Sequence, residues 1–288
     1  MKPTTAVPKK SAKPAAQKAA AQKAAVPLAA SAKRPQYAAP ALEKGIDILE
    51  LLTDAEHGLG MAEIAQKLHR SVGEIFRMVV TLQRRNWLYA DRADCYHLTT
   101  RMFELAHRNR PIRTLVEAAL PSMQLVAKQA LQSCHLAVFE AGRILVIAQV
   151  QAPGPLSFGV RTGSVVGMFN TASGQVMLAF RSPQERERLL EQNAILTGEP
   201  GVLRGEALAG VDKVAADGFA CSPSQQLRGV TNLGCPVWGS DGQVVAAVVI
   251  PFVERLDVYR GPTLEETLLI LKNAAVDISK ALGQPGGS

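Results

Sequence analysis

The chain has 288 residues and a formal net charge of +7; residues 1–36 hold eight Lys or Arg and no acid, so everything after them is close to neutral. That length accommodates two domains of ordinary size and a tail, no apolar run is long enough to span a bilayer, and the basic N-terminus lacks the apolar stretch of a secretory signal. Cys95, Cys134, Cys221 and Cys235 lie far apart with no C-x-x-C pair, which argues against a zinc site and a disulfide framework, so a cytoplasmic protein with no metal and no cofactor is expected.

Residues 1–36 are mostly Lys, Pro, Ala and Gln. They cannot bury enough surface to offset the entropy of ordering, so disorder is expected. Such a polycation adds salt-sensitive affinity for DNA or acts only as a solubilising leader. Residues 41–52 then read as a helix with Leu42, Ile46, Leu49 and Leu52 on one face, and His57-Gly58-Leu59-Gly60 breaks it.

The decisive stretch is residues 61–82. Met61, Ile64, Ala65 and Leu68 repeat at i, i+3, i+4 and i+7, as do Ile75, Met78, Val79 and Leu82, which predicts two amphipathic helices. Ser71-Val72-Gly73-Glu74 has capping-box spacing and starts the second. Two helices with so short a connection cross steeply, as in a helix-turn-helix. The second would show solvent Gly73, Glu74, Arg77, Val80, Thr81 and Arg84, a face mixing Arg with small residues and free of large apolar ones. Residues 87–90 and 95–99 follow as two short strands around the turn Asp91-Arg92-Ala93-Asp94. A hairpin in that position is a wing, which makes residues 41–100 a winged helix-turn-helix. Between Lys67 and Arg85 five basic residues face the single acid Glu74, which favours double-stranded DNA over a plain helical hairpin.

Residues 101–112 read as a linker helix closed by Asn109-Arg110-Pro111, and residues 113–282 as a second domain. A long helix over 115–132 contains Pro121. The period then changes to strand: 135–139 and 144–148 form a hairpin, 156–161 is a third strand, and 219–222, 231–237 and 244–251 are later ones. Helices are predicted over 171–180, 183–192, 205–216 and 264–282. This is an α+β arrangement of an antiparallel sheet with helices.

Several motifs fall in the order and spacing of IclR-type bacterial transcriptional regulators, which the chain resembles over about residues 41–282. They are Ala41-Leu42-Glu43-Lys44-Gly45-Ile46-Asp47-Ile48-Leu49, Arg77-Met78-Val79-Val80-Thr81-Leu82, Arg161-Thr162-Gly163-Ser164 and Asn170-Thr171-Ala172-Ser173-Gly174-Gln175, followed by Gly229-Val230 through Ala246-Ala247-Val248. The resemblance implies a GAF-like sheet in the second domain, homodimers or homotetramers, and control by small organic effectors. Where the family usually has Gly and Lys, this chain has His69 and Gln175. The positions that hold small keto acids in some members fall at Ser222, Asn232, Val249 and Pro251. Two of these are apolar here, which favours a ligand larger and less polar than glyoxylate, such as an aromatic one.

For DNA, Arg77 can pair with guanine and Glu74 can accept from cytosine, although the capping box competes for Glu74. Ser71, Gly73 and Thr81 share the reading surface, and Arg70, Arg84, Arg85 and Arg92 are phosphate contacts or solvated charge. For a carboxylate effector, a helix start at Asn170, Thr171, Ala172 and Ser173 offers amides and the positive end of the helix dipole. Phe158 and Phe169 would wall a ring and Arg161 would pair with the anion. The competing account makes Asn170 or Thr171 a simple cap and the two Phe core. No G-x-S-x-G, metal-ligand cluster or phosphate loop occurs, and Cys134 and His135, as strand neighbours, point to opposite faces, so an enzyme is not expected. The chain therefore reads as a DNA-binding, ligand-responsive regulator, nucleoid-associated when bound; the alternative is a regulator whose second domain only oligomerises.

Overall fold

The computed structural model describes residues 39–140, 142–189, 204–255 and 261–284. The basic tail expected over 1–36 lies outside them, as does the end of the helix expected over 183–192, of which residues 183–189 are helical.

Three helices open the described chain: α1 (Pro40–Thr53), α2 (Met61–Lys67) and α3 (Val72–Arg84). Their core is Ile48, Leu52, Ile64, Ala65, Ile75, Val79 and Leu88. The stripe predicted for α1 is rotated. Leu52 is buried with Ile48, but Leu42 and Ile46 are 64% and 45% exposed, because the side of α1 that packs into the three-helix core is the one carrying Ile48 and Leu52. Strands β2 (Leu88–Ala90) and β3 (Cys95–Leu98) form the hairpin. A two-residue strand β1 (Leu59–Gly60), within the stretch predicted only as a break, pairs with β3 on its other side. Helix α4 (Arg101–Arg108) has no buried residue, and α5 (Arg110–Ala130) begins two residues later with Pro111 in its first turn. Proline fits there because the first helical amides lack intrahelical partners.

The larger sheet has the order β6-β5-β4-β9-β8-β7, with every neighbouring pair antiparallel. Its strands are β4 (Cys134–Glu140), β5 (Arg143–Val150), β6 (Val165–Val166), β7 (Ala220–Pro223), β8 (Val230–Trp238) and β9 (Val244–Val253). Helices α5 and α8 (Leu264–Ala281) cover one face through Leu136, Val138, Leu233, Cys235, Val248 and Ile250. Helices α6 (Ala172–Ala179) and α7 (Arg204–Asp217) belong to the opposite side, where Ala137, Val146, Ala172, Val176 and Val249 share a second core. In β5 a bulge lets Leu136 pair with Ala148 and Ala137 with Val146. Ile147 is the extra residue, so Ala148 feeds the first core and Val146 the second.

The strand expected over 156–161 is irregular. Pro153 and Pro155 ahead of it supply no ladder donors. The chain joins the β5 edge later, where Gly163 and Ser164 bond the Val146 backbone at 2.8 and 2.9 Å before the short β6.

Helix α6 lies unusually close to its surroundings. A Cβ at Gly174 would stand 1.9 Å from the Met168 carbonyl oxygen, and one at Gly234 of β8 would stand 3.0 Å from Ala172 Cβ. Replacing Gly174 by Ala is expected to destabilise the fold by about 3 kcal/mol or to prevent folding, because the clash is with backbone rather than a movable side chain; denaturant unfolding of Gly174→Ala against wild type measures this.

Candidate functional site

The first candidate surface is the outer side of α3. Its start is fixed by Ser71, whose amide and hydroxyl both donate to Glu74 Oε2, at 2.9 and 3.1 Å. The other carboxylate oxygen accepts from Lys44 Nζ of α1 at 3.1 Å. The Ser71 amide bond, followed by the Lys44 contact, holds the Glu74 carboxyl well below its ordinary range, at about 2. Glu74 is thus engaged as a cap and as a tie to α1, the competing role weighed for it above. Arg70 Nη2 pairs with Asp47 Oδ2 of α1 at 3.2 Å, a second tie from the turn to the same helix. His69 in that turn has φ 53°, the left-handed conformation that glycine adopts without strain.

Arg77, Thr81, Arg84 and Gly73 are exposed on α3, and Arg92 is exposed at the hairpin tip. The Thr81 hydroxyl donates back to the Arg77 carbonyl at 2.7 Å. One expectation needs correction: the face is not free of large apolar groups. Phe76 is 52% exposed, since it sits a full position round the helix from the buried Ile75. In the hairpin, Asp91 accepts from the amides of Ala93 and Cys95, both at 2.9 Å, and meets His97 Nε2 at 3.0 Å. These contacts square off the wing turn and hold the Asp91 carboxyl below its usual range, His97 contributing most.

The second candidate site is a cavity of about 70 Å³ under the start of α6. Phe158, Asn170, Thr171, Ala172, Ser173 and Asn232 line it, together with Val249, Pro251 and His135. Register explains the grouping: His135 pairs with Val249 and Asn232 with Pro251, so all four point to the face that α6 covers. The Thr171 hydroxyl caps α6, accepting from the Gly174 amide at 3.2 Å and donating to the Gly167 carbonyl at 2.6 Å. Three proposed ligand residues stand elsewhere. Arg161 is exposed on the turn before β6. Phe169 packs with the α6-side core. Ser222 shares the Asn232 face by pairing but lies toward the sheet edge, and Ser224 reaches the cavity instead.

His135 was legible in the sequence only as half of an unworkable pair with Cys134. In the fold it is buried, and desolvation pushes its imidazole down to about 4. Its Nδ1 and the Asn170 Oδ1 are buried without hydrogen-bond partners. The one available signal was a lone polar ring in an otherwise apolar strand. Beyond Phe158 lies a larger cavity of about 490 Å³, lined by Leu131, Gln132, Ala152, Leu156 and Val253 among others. Burial raises the thiols of Cys134 and Cys235 to about 12, which leaves them inert.

Residues 41–92 match the IclR helix-turn-helix domain and residues 111–280 the C-terminal domain of bacterial IclR transcriptional regulators. The chain belongs to the IclR family. It is 26% identical over 254 residues to the transcriptional regulator KdgR of Escherichia coli K12, covering 87% of this chain and 95% of that one. The transcriptional repressor AllR of the same strain is 22% identical over 252 residues, with 86% and 92% covered. Among solved structures, the Thermotoga maritima IclR has a TM-score of 0.65 at 22% identity, covering 84% of this chain and 98% of that one. An IclR homologue from Microbacterium hydrocarbonoxydans complexed with 4-hydroxybenzoate has a TM-score of 0.69, with the same identity and coverage. This IclR-family chain is accordingly a DNA-binding transcriptional regulator and not an enzyme, with a winged helix-turn-helix followed by a GAF-like antiparallel sheet. No helix among the described residues is long and apolar enough to cross a membrane.

The lowered Glu74 carboxyl predicts a pH signature. A depressed acid contributes stability fully above its unfolded value near 4.5, and that contribution is lost as pH falls toward about 2. The stability deficit of Glu74→Gln against wild type should hold constant near neutrality and shrink between those two values, as thermal melts across pH can follow.

Proposed function

We propose that this regulator binds its operator as a homodimer or homotetramer through α3 and the wing, and that an organic acid in the cavity beneath α6 modulates that binding. The observation that carries the effector half is the pair of buried, unpartnered polar atoms, His135 Nδ1 and Asn170 Oδ1, facing one cavity. Orphan buried polar groups cost free energy unless something satisfies them, and a bound ligand is one such partner. The cavity's small volume suits the polar head of an acid, and the larger space past Phe158, bordered by Leu131, Leu156 and Val253 with Glu254 and Arg255 at its lining, suits a larger body. The 4-hydroxybenzoate held by the Microbacterium homologue is of that class, an aromatic hydroxy acid.

For DNA, the exposed Arg77 is the base reader, able to pair with guanine O6 and N7. Arg84 and Arg92 contact phosphates, and Ser71, Gly73 and Thr81 allow close approach. Glu74 and Arg70 serve mainly to position α3 against α1. Exposed Leu42 and Ile46 on α1, and Met102, Phe103 and Leu105 on α4, support self-association, because exposed groups of large apolar side chains mark contact sites. Two half-sites about 34 Å apart, or a multiple of that, then fit a two-fold pair of α3 helices. Effector binding acts by shifting the population in which that spacing matches.

Two variants test the two halves. Arg77→Ala is expected to weaken binding to a selected operator by about 1–3 kcal/mol and to relax sequence preference; gel-shift titrations showing equal loss on operator and random duplex would reject base reading by this residue. Ser173→Trp fills the cavity, so calorimetric titration with aromatic and aliphatic carboxylates should lose its binding heat. Wild-type affinity retained in that variant would remove the effector site from this cavity.

A further inference from the structure

The cavity under α6 has an unusual electrical character for an acid-binding site. Among the described residues its polar lining is His135, Asn170, Thr171, Ser173, Ser224, Gln226 and Asn232 between apolar walls, with no Lys, Arg, Asp or Glu. Around His135 itself, β5 presents Gln149 and β9 presents Val249 in register; α6, β8 and the chain after β7 add only neutral groups. A carboxylate seated in this cavity leaves water without a cation on the lining, Arg255 belonging to the adjoining space past Phe158, and an unpaired buried charge is very costly. Among the described residues the titratable group on the lining is the His135 imidazole, kept neutral because burial disfavours its charged form. An anion beside it reverses that preference, since an opposite charge nearby favours the protonated ring.

We propose that the cavity takes its organic acid together with one proton, which His135 holds as the counter-charge to the bound carboxylate. This rests on the effector reading given above. The proton comes from solvent, the only bond formed is N–H on the ring, and the acid itself stays intact. The effector is then sensed as an acid: at a given total concentration, occupancy rises as the surrounding pH falls.

Isothermal titration with acetate, pyruvate, benzoate and 4-hydroxybenzoate, each in two buffers of different ionisation heat, reads the proton directly. Acids that bind wild type should show uptake approaching one proton at about pH 6, and their affinity should rise about tenfold for each pH unit lowered between about 7 and 5. Acetamide and benzamide, which carry no charge, should show no uptake. His135→Gln should bind the same acids more weakly and without uptake. Wild-type binding heats independent of buffer would overturn the proposal without touching the effector reading, and need no variant. Uptake persisting in a folded His135→Gln would overturn the assignment to this ring. A panel silent on wild type would remove the effector reading, and the proposal with it.

Discussion

The second domain depends on how closely α6 can approach the sheet. Gly174 faces the Met168 carbonyl with no room for a methyl group, and Gly234 receives Ala172 from the other side. Gly174 lets the chain turn tightly from Met168 into α6, and Gly234 lets Ala172 and Val176 of α6 settle on β8. Only at that range do His135, Asn170 and Asn232 share one cavity. The polar groups contribute little to holding the layers together. The energy comes from Ala137, Val146, Val176 and Val249 packed between them, at roughly 25 cal/mol per Å² of apolar surface removed from water.

The DNA-binding half separates strength from direction in a similar way. Ile48, Ile64, Ile75 and Val79 are fully buried and supply the cohesion. The ion pairs Lys44–Glu74 and Arg70–Asp47 are partly exposed, and solvent screening leaves such pairs weak. Their use is angular, because both run from α1 to the first turn or the turn before α3. The residues that set the angle of the helix are therefore distinct from Arg77 and Arg84, which remain free to face a groove.

Much of this was legible in the sequence, for local reasons. The period of 3.6 located α2 and α3, the Ser71–Glu74 spacing located the start of α3, and the charged turn between aromatic runs located the wing. What was not legible is non-local. Whether Leu42 or Ile48 is buried depends on where α3 crosses α1. The run at 156–161, preceded by Pro153 and Pro155, is apolar enough for a strand, yet the chain bonds the β5 edge only from Gly163. His135 became a cavity residue only through its register with Val249, and Arg161, Phe169 and Ser222 fell outside because motif proximity does not fix which way a side chain points. Phe76 was missed because its two neighbours in sequence belong to opposite sides of the helix.

The extra residue in β5 has consequences of its own. Ile147 is where the strand exchanges the layer it feeds, with Val146 serving one core and Ala148 the other. Substitution at Ile147 changes only one half-buried side chain. Its deletion would remove the bulge itself: Val146 and Ala148 would become neighbours in a regular strand and still face opposite cores, while the local bend and twist that the bulge supplies would be lost. What the extra residue supplies is the path of β5, a bend and added twist at one point, and that depends more on a residue being present there than on which residue it is.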